Sequence, residues 1–186
     1  MVSIGGGGSD ASRFSLPLLK VQPGQCIEFE LASTEPLSIG VHWCDRSLVC
    51  VGDGCPLCDY SQCRSAVFAV VTQMVNGKPG REALLEMSAS AYARLDGLLR
   101  MEGVRWAPTL LCQATRRKRN SPLVVEPRAT GPRAIGSGSP PIRTLRAVCV
   151  LMKLAQPQAA ESPSEWMLRM RPTFLAHAKR EADRLA

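Results

Sequence analysis

Two thiols separated by two residues, in Cys55-Pro56-Leu57-Cys58, constrain this chain more than any other stretch. A proline after the first cysteine favours a tight turn that aims both sulfurs at one point. Such a turn is half of a tetrahedral structural zinc site, which then needs two more Cys or His ligands. Cys50 lies five residues before Cys55 and His42 eight before Cys50, giving the order His-x7-Cys-x4-Cys-x2-Cys. Cys44 and Cys63 flank the same region, so six side chains compete for four positions. A redox dithiol or a disulfide staple would need only two of them, and zinc is therefore the preferred reading.

Within that set, His42, Cys50, Cys55 and Cys58 are the expected ligands. Gly52, Asp53 and Gly54 let the chain reverse sharply between Cys50 and Cys55, which favours Cys50 over Cys63. Neutral imidazole is a common zinc ligand, which favours His42 over Cys44. Cys44 shares a face with His42 on an extended segment, so either could reach the ion. Four protein ligands leave no position for water, which makes the expected metal structural.

The chain has 186 residues, enough for one domain with a core and appendages. No apolar run reaches the roughly 18 residues of a membrane span. The N-terminal stretch has no apolar leader core and contains Gly5-Gly6-Gly7-Gly8-Ser9, which reads as a flexible linker. Eight cysteines without a secretion signal fit a reducing, cytoplasmic setting in which thiols serve metals.

The net charge of +7 is unevenly spread. Residues 1–115 carry nine Lys/Arg against eleven Asp/Glu, whereas residues 116–186 carry fourteen against five. A basic surplus confined to one part of the chain points to a polyanionic partner. Its densest run is Arg116-Arg117-Lys118-Arg119.

Local patterns predict mostly strands. Residues 1–15 read as loosely attached, and 16–19 as packing against one edge. Cys26 to Leu31 alternates apolar and charged residues with period two, as a half-buried strand does. A second strand runs from Pro36 to Trp43, the metal loop spans 42–63, and Ala66 to Val75 is a strongly apolar strand. Asn76-Gly77-Lys78-Pro79-Gly80 is hairpin chemistry leading into a partner strand from Arg81 to Met87. A helix over 89–102, capped by Ser88 or Ser90, presents Leu95, Leu98 and Leu99 at helical spacing. Strands over 109–115 and 123–126 then flank the basic run as a hairpin tip. Residues 129–141 read as a linker. The segment 142–154 reads as a helix or an added strand. Residues 142–186 form a helical extension whose last helix Pro172 should kink or divide.

This order is mainly β (α+β) and fits a small barrel of the oligonucleotide-binding (OB) type, carrying a zinc loop and a C-terminal helical extension. Such barrels bind single strands by stacking bases on aromatics in a basic groove. The candidate contacts are Trp43, Tyr60, Arg64, Trp106, Arg116, Arg117, Lys118, Arg119 and Arg128, with Arg105 and Phe68 as further candidates. Phe68 lies inside an apolar strand, and core packing is the better reading for it.

The order His42, Cys50, Cys55-Pro56-Leu57-Cys58 within a barrel-like strand pattern resembles the zinc-containing single-stranded-DNA-binding proteins of T-even phages. The resemblance covers about residues 26–128 and carries over His42, Cys50, Cys55 and Cys58 only. It implies a zinc subdomain inserted in an OB fold that binds single-stranded DNA in replication, recombination and repair. The intervals between ligands are shorter here, and the downstream region is basic and helical where that family has an acidic tail.

No Ser-His-Asp, HExxH, Walker or GxGxxG arrangement is present, so the expectation is a binding protein and not an enzyme. Single-stranded nucleic acid, DNA before RNA, is the expected partner. The rival reading is a zinc-stabilised protein-interaction adaptor that docks a partner through its C-terminal helix.

Overall fold

The computed structural model describes residues 14–44, 46–101, 106, 109–118, 121–128 and 140–186. Among these residues, seven strands form one antiparallel sheet: β1 Cys26–Leu31, β2 Leu37–Cys44, β3 Arg46–Val49, β4 Arg64–Val75, β5 Lys78–Ser88, β6 Leu111–Thr115 and β7 Val124–Pro127. Three helices accompany them: α1 Ala89–Met101, α2 Pro141–Met152 and α3 Pro163–Leu185.

β4 organises the sheet. Its first half pairs with β2 (Val41 opposite Arg64, Leu37 opposite Phe68), and its second half pairs with β1 on the same edge (Leu31 opposite Val71). Its other edge pairs along its length with β5 through the two-residue turn Asn76-Gly77. β1 then pairs with β6 and β6 with β7, while β3 extends the opposite end by pairing with β2. Leu18 adds a single parallel bridge to Leu84 of β5.

The sheet is antiparallel and the architecture mainly β with helices, but the expected barrel does not close. β5 and β7 do not pair with each other. α1 packs against β4, β5 and β7 instead and contributes Ala91, Leu95 and Leu99 to the core there. A helix saturates its own backbone hydrogen bonds, so it covers apolar faces without completing a strand ladder. Ser88 caps it, its Oγ accepting from the amide of Ala91 at 3.2 Å.

The continuous apolar run of β4 has a specific cause: both of its faces are buried. Val67, Ala69 and Val71 face the α1 side with Ile27, Phe29 and Leu31 of β1. Ala66, Phe68 and Val70 face the other way into a second core built with Leu145 and Val148 of α2 and Trp166, Met170 and Phe174 of α3. The helical extension is therefore the cover of the sheet's second face. Trp166 is fully buried there, its indole N–H donating to the Ala155 carbonyl at 3.0 Å and its ring meeting Phe174 edge-on at 5.4 Å. Arg143 of α2 is ion-paired with Glu82 of β5 on the same side.

One local expectation is decided and another changes. The segment expected as a helix or an added strand over 142–154 is a helix. Pro172 does not divide α3, which runs unbroken from a capping box in which Ser162 and Glu165 bond reciprocally. Pro172 and Leu168, one turn earlier, are both exposed, so the carbonyl that proline leaves unbonded faces water. The strand β3 went unread because four residues between Cys44 and Cys50 are too few to show a period. Of the expected linker 129–141, residues 129–139 lie outside the described residues and Pro141 already opens α2; residues 1–13 of the expected loose N-terminus also lie outside them.

Candidate metal centre and basic groove

β2 carries His42 into the interior, where its side chain is fully buried. The β2–β3 hairpin returns the chain so that the Cys50 amide donates to the Gly40 carbonyl at 2.8 Å, which places Cys50 beside His42. Gly52 and Gly54, both at φ +76°, then reverse the loop. A side chain in that left-handed region would be strained, so glycine at these positions suits a loop this short. The Cys55 amide bonds to the Gly52 carbonyl at 3.0 Å, and a single 3-10 turn over Pro56–Asp59 carries Cys58. Leu57, completely buried, anchors that turn.

The result is a cluster of His42, Cys50, Cys55 and Cys58 whose ligand atoms all lie within 4.8 Å of one another, a group that could hold a metal ion. His42 Nε2 stands 3.5 Å from Cys55 Sγ and 3.7 Å from Cys58 Sγ, and Cys50 Sγ stands 4.0 Å from Cys58 Sγ. His42 Nδ1 lies 2.8 Å from the Ser61 carbonyl oxygen, which can only accept. That bond leaves the lone pair on Nε2, aimed at the thiols. Cys44 lies outside the quartet, and Cys63 lies against Cys50 without joining it.

The thiols perturb one another. Burial raises the Cys50 pKa, but the Gly52 amide and hydrogen bonds from Cys63, Cys58 and Cys55 outweigh it, so the net shift is downward. Desolvation, together with the adjacent Cys50 thiolate, pushes Cys58 and Cys63 up to about 11. Of these three thiols, Cys50 is the one whose surroundings favour loss of its proton. A bound cation would offset the repulsion among several thiolates.

The loop also meets the last helix, which the local sequence did not reveal. Ala178 and Ala182 of α3 pack on Cys50, Cys55 and Leu57, and Arg171 donates to the Asp53 carbonyl at 3.1 Å. The only sequence trace is the alanine pair one helical turn apart, whose small side chains let the helix approach closely.

The candidate nucleic-acid contacts separate into groups. Trp43 and Tyr60 flank the metal loop and are 61% and 49% exposed. Their segments are tied together by Ser61, whose Oγ donates to the Trp43 carbonyl. Trp106 is half-buried against the first core, its indole N–H donating to the Ser33 carbonyl at 3.1 Å and its ring contacting Tyr92. Packing therefore holds it, and it is a poor stacking platform. Phe68 is buried in the second core.

Arg64 pairs with Glu86 at 3.6 Å and Arg128 with Glu28 at 3.1 Å. Arg116, Arg117 and Lys118 lie at the tip of the β6–β7 hairpin, where Ser121 bonds both the amide and the carbonyl of Lys118. Arg117 and Lys118 are exposed. Arg116 Nε has no hydrogen-bond partner among the described residues. Arg105 and Arg119 lie outside those residues.

A groove of about 720 Å³ connects the two regions, lined by Cys63 and Arg64 from the end of the metal loop, Ser88 and Ser90 at the start of α1, and Arg116 and Ser121 from the hairpin. Among the described residues, no helix is long and apolar enough to cross a membrane. No protein-family model, curated protein or solved structure matches the chain.

Proposed function

We propose that this protein is a zinc-stabilised module that binds single-stranded nucleic acid, DNA before RNA, without sequence preference. Zinc is assigned on the donor set and its dimensions. Zn–S bonds of about 2.3 Å and Zn–N bonds of about 2.0–2.1 Å define a tetrahedron with S···S edges of about 3.8 Å and S···N edges of about 3.6 Å. The observed 4.0, 3.5 and 3.7 Å separations lie close to those edges. His42, Cys50, Cys55 and Cys58 would fill every position, so the ion supplies folding energy and no activated water.

The observation that carries nucleic-acid binding is the groove between the metal loop and the basic hairpin. It offers hydroxyls and guanidinium groups to a phosphate backbone, with Trp43 and Tyr60 exposed around the metal loop for base stacking. Arg116, Arg117 and Lys118 contribute sequence-independent contacts whose strength falls with salt.

Fluorescence polarisation with labelled single-stranded and duplex oligonucleotides across a salt series tests this reading. Single strands are expected to bind more tightly, with a steep loss of affinity as salt rises. Changing Arg116, Arg117, Lys118 and Arg119 together to Ala should weaken binding to all sequences and flatten the salt slope. Absence of binding at low salt would refute it.

A second reading, a protein-interaction adaptor, draws on a different surface. α3 is docked on its own sheet, but an apolar groove remains between the β2–β3 hairpin and the helices, lined by Trp43, Leu48, Leu151, Leu154 and Phe174.

A further inference from the structure

Beside the three thiols and one imidazole of the quartet lies a fourth thiol that it does not use, Cys63. Gly40 of β2 sits between Cys50 on one side and Ser65 of β4 on the other. A Cβ placed on Gly40 would lie 3.3 Å from Cys50 Cβ and 3.3 Å from Cys63 Sγ. The missing side chain thus leaves a gap bordered by both cysteines, into which the Cys63 sulfur reaches. Cys63 is exposed and Cys50 is buried, so a small solute would approach the pair from the Cys63 side. Cys112 and Cys149 are buried in the two cores, and Cys26 faces Gln113 on the far strand pair.

We propose that Cys63 is a resolving thiol for the ligand Cys50, so that a hydroperoxide converts the metal centre into a Cys50–Cys63 disulfide and expels the ion. This rests on the zinc reading of the centre. The Cys50 thiolate attacks the terminal oxygen of the hydroperoxide, which keeps its hydrogen, the O–O bond breaks, and the alkoxide (hydroxide, for hydrogen peroxide) leaves as the alcohol or water after taking one proton from solvent. Cys50 becomes a sulfenic acid and ceases to be a good ligand. Cys63 sulfur then attacks Cys50 sulfur, the S–O bond breaks, and the hydroxyl leaves as water with the Cys63 proton. Two thiols lose two electrons to one peroxide bond. With Cys50 withdrawn, two thiolates and one imidazole remain, and the ion is released. Gly52 and Gly54 let the freed loop shift to close the disulfide. Cys63 also lines the basic groove, so the same event alters the surface proposed to hold a strand.

The test uses the full zinc-loaded chain treated with hydrogen peroxide. Zinc release is followed with a chromogenic chelator, and thiol pairing is mapped by non-reducing peptide mass spectrometry. Wild type should release zinc, show a Cys50–Cys63 disulfide, and regain zinc after dithiothreitol. The Cys63→Ser variant should hold zinc under reducing conditions but lose this reversibility, with Cys50 carried on to sulfinic acid. Cys44→Ser should behave as wild type. Unchanged reversibility in Cys63→Ser, or Cys55–Cys58 as the main disulfide, would overturn the proposal. Peptide mapping decides the pairing even in a metal-free preparation, so failure of the zinc reading is seen separately.

Discussion

His42 is bonded through Nδ1 to the carbonyl of Ser61, nineteen residues away, at 2.8 Å. One bond therefore selects the tautomer of the ring and ties the strand that carries His42 to the far end of the cysteine loop. Second-sphere bonds of this kind orient a ligand as well as raising its basicity. His42→Gln should weaken zinc binding well beyond the loss from a surface change such as Asp59→Asn. Chelator competition on both variants measures this.

Metal should be inseparable from folding. Purified wild type is expected to hold about one zinc per chain. Cys55→Ser or Cys58→Ser should lose the ion and lower the thermal midpoint, whereas Cys44→Ser should keep both. Elemental analysis beside thermal denaturation decides the matter. Loss of zinc from Cys44→Ser would reassign the ligands.

Zinc uptake should release protons. The Cys58 thiol, pushed up to about 11 by desolvation and the Cys50 thiolate, is protonated at neutral pH in the metal-free cluster. Binding must displace that proton, so apparent affinity should rise with pH through the neutral range and fall on acidification. Metal-bound protein is therefore most stable relative to the apo form on the alkaline side of this range. Calorimetry in buffers of different ionisation enthalpy counts the protons.

The contact between α3 and the loop should couple them. Ala178→Leu would overfill the seam against Cys50, Cys55 and Leu57, at a cost of about 1–3 kcal/mol. Urea unfolding should show that loss, and chelators should strip zinc from the variant more readily. An exposed change on the same helix, Leu168→Ala, should do neither.

Aromatic substitutions should divide by burial. Trp43→Ala and Tyr60→Ala should each weaken single-strand binding by about 1–3 kcal/mol where the ring stacks on a base, with the salt slope unchanged. Trp106→Ala should chiefly destabilise the fold, because its ring packs on the core and its N–H serves Ser33. Polarisation titrations and denaturation curves on the three variants separate the two effects.

The spacing of His42, Cys50, Cys55 and Cys58 and the glycines between them were readable because a tight loop is governed by a few neighbouring residues. The period-two strand β1, the Asn76-Gly77 turn and the capped helix α1 were legible for the same reason. Tertiary structure alone decided that Cys63 lies against Cys50 across Gly40, outside the quartet, because that meeting depends on how β4 pairs with β2. It also decided what lies over each face of β4. An apolar run records that both faces are buried but not which elements cover them, since hydrophobic burial is non-directional. Here α1 takes the place a closing strand would have filled, and α2 and α3 cover the opposite face and brace the metal loop.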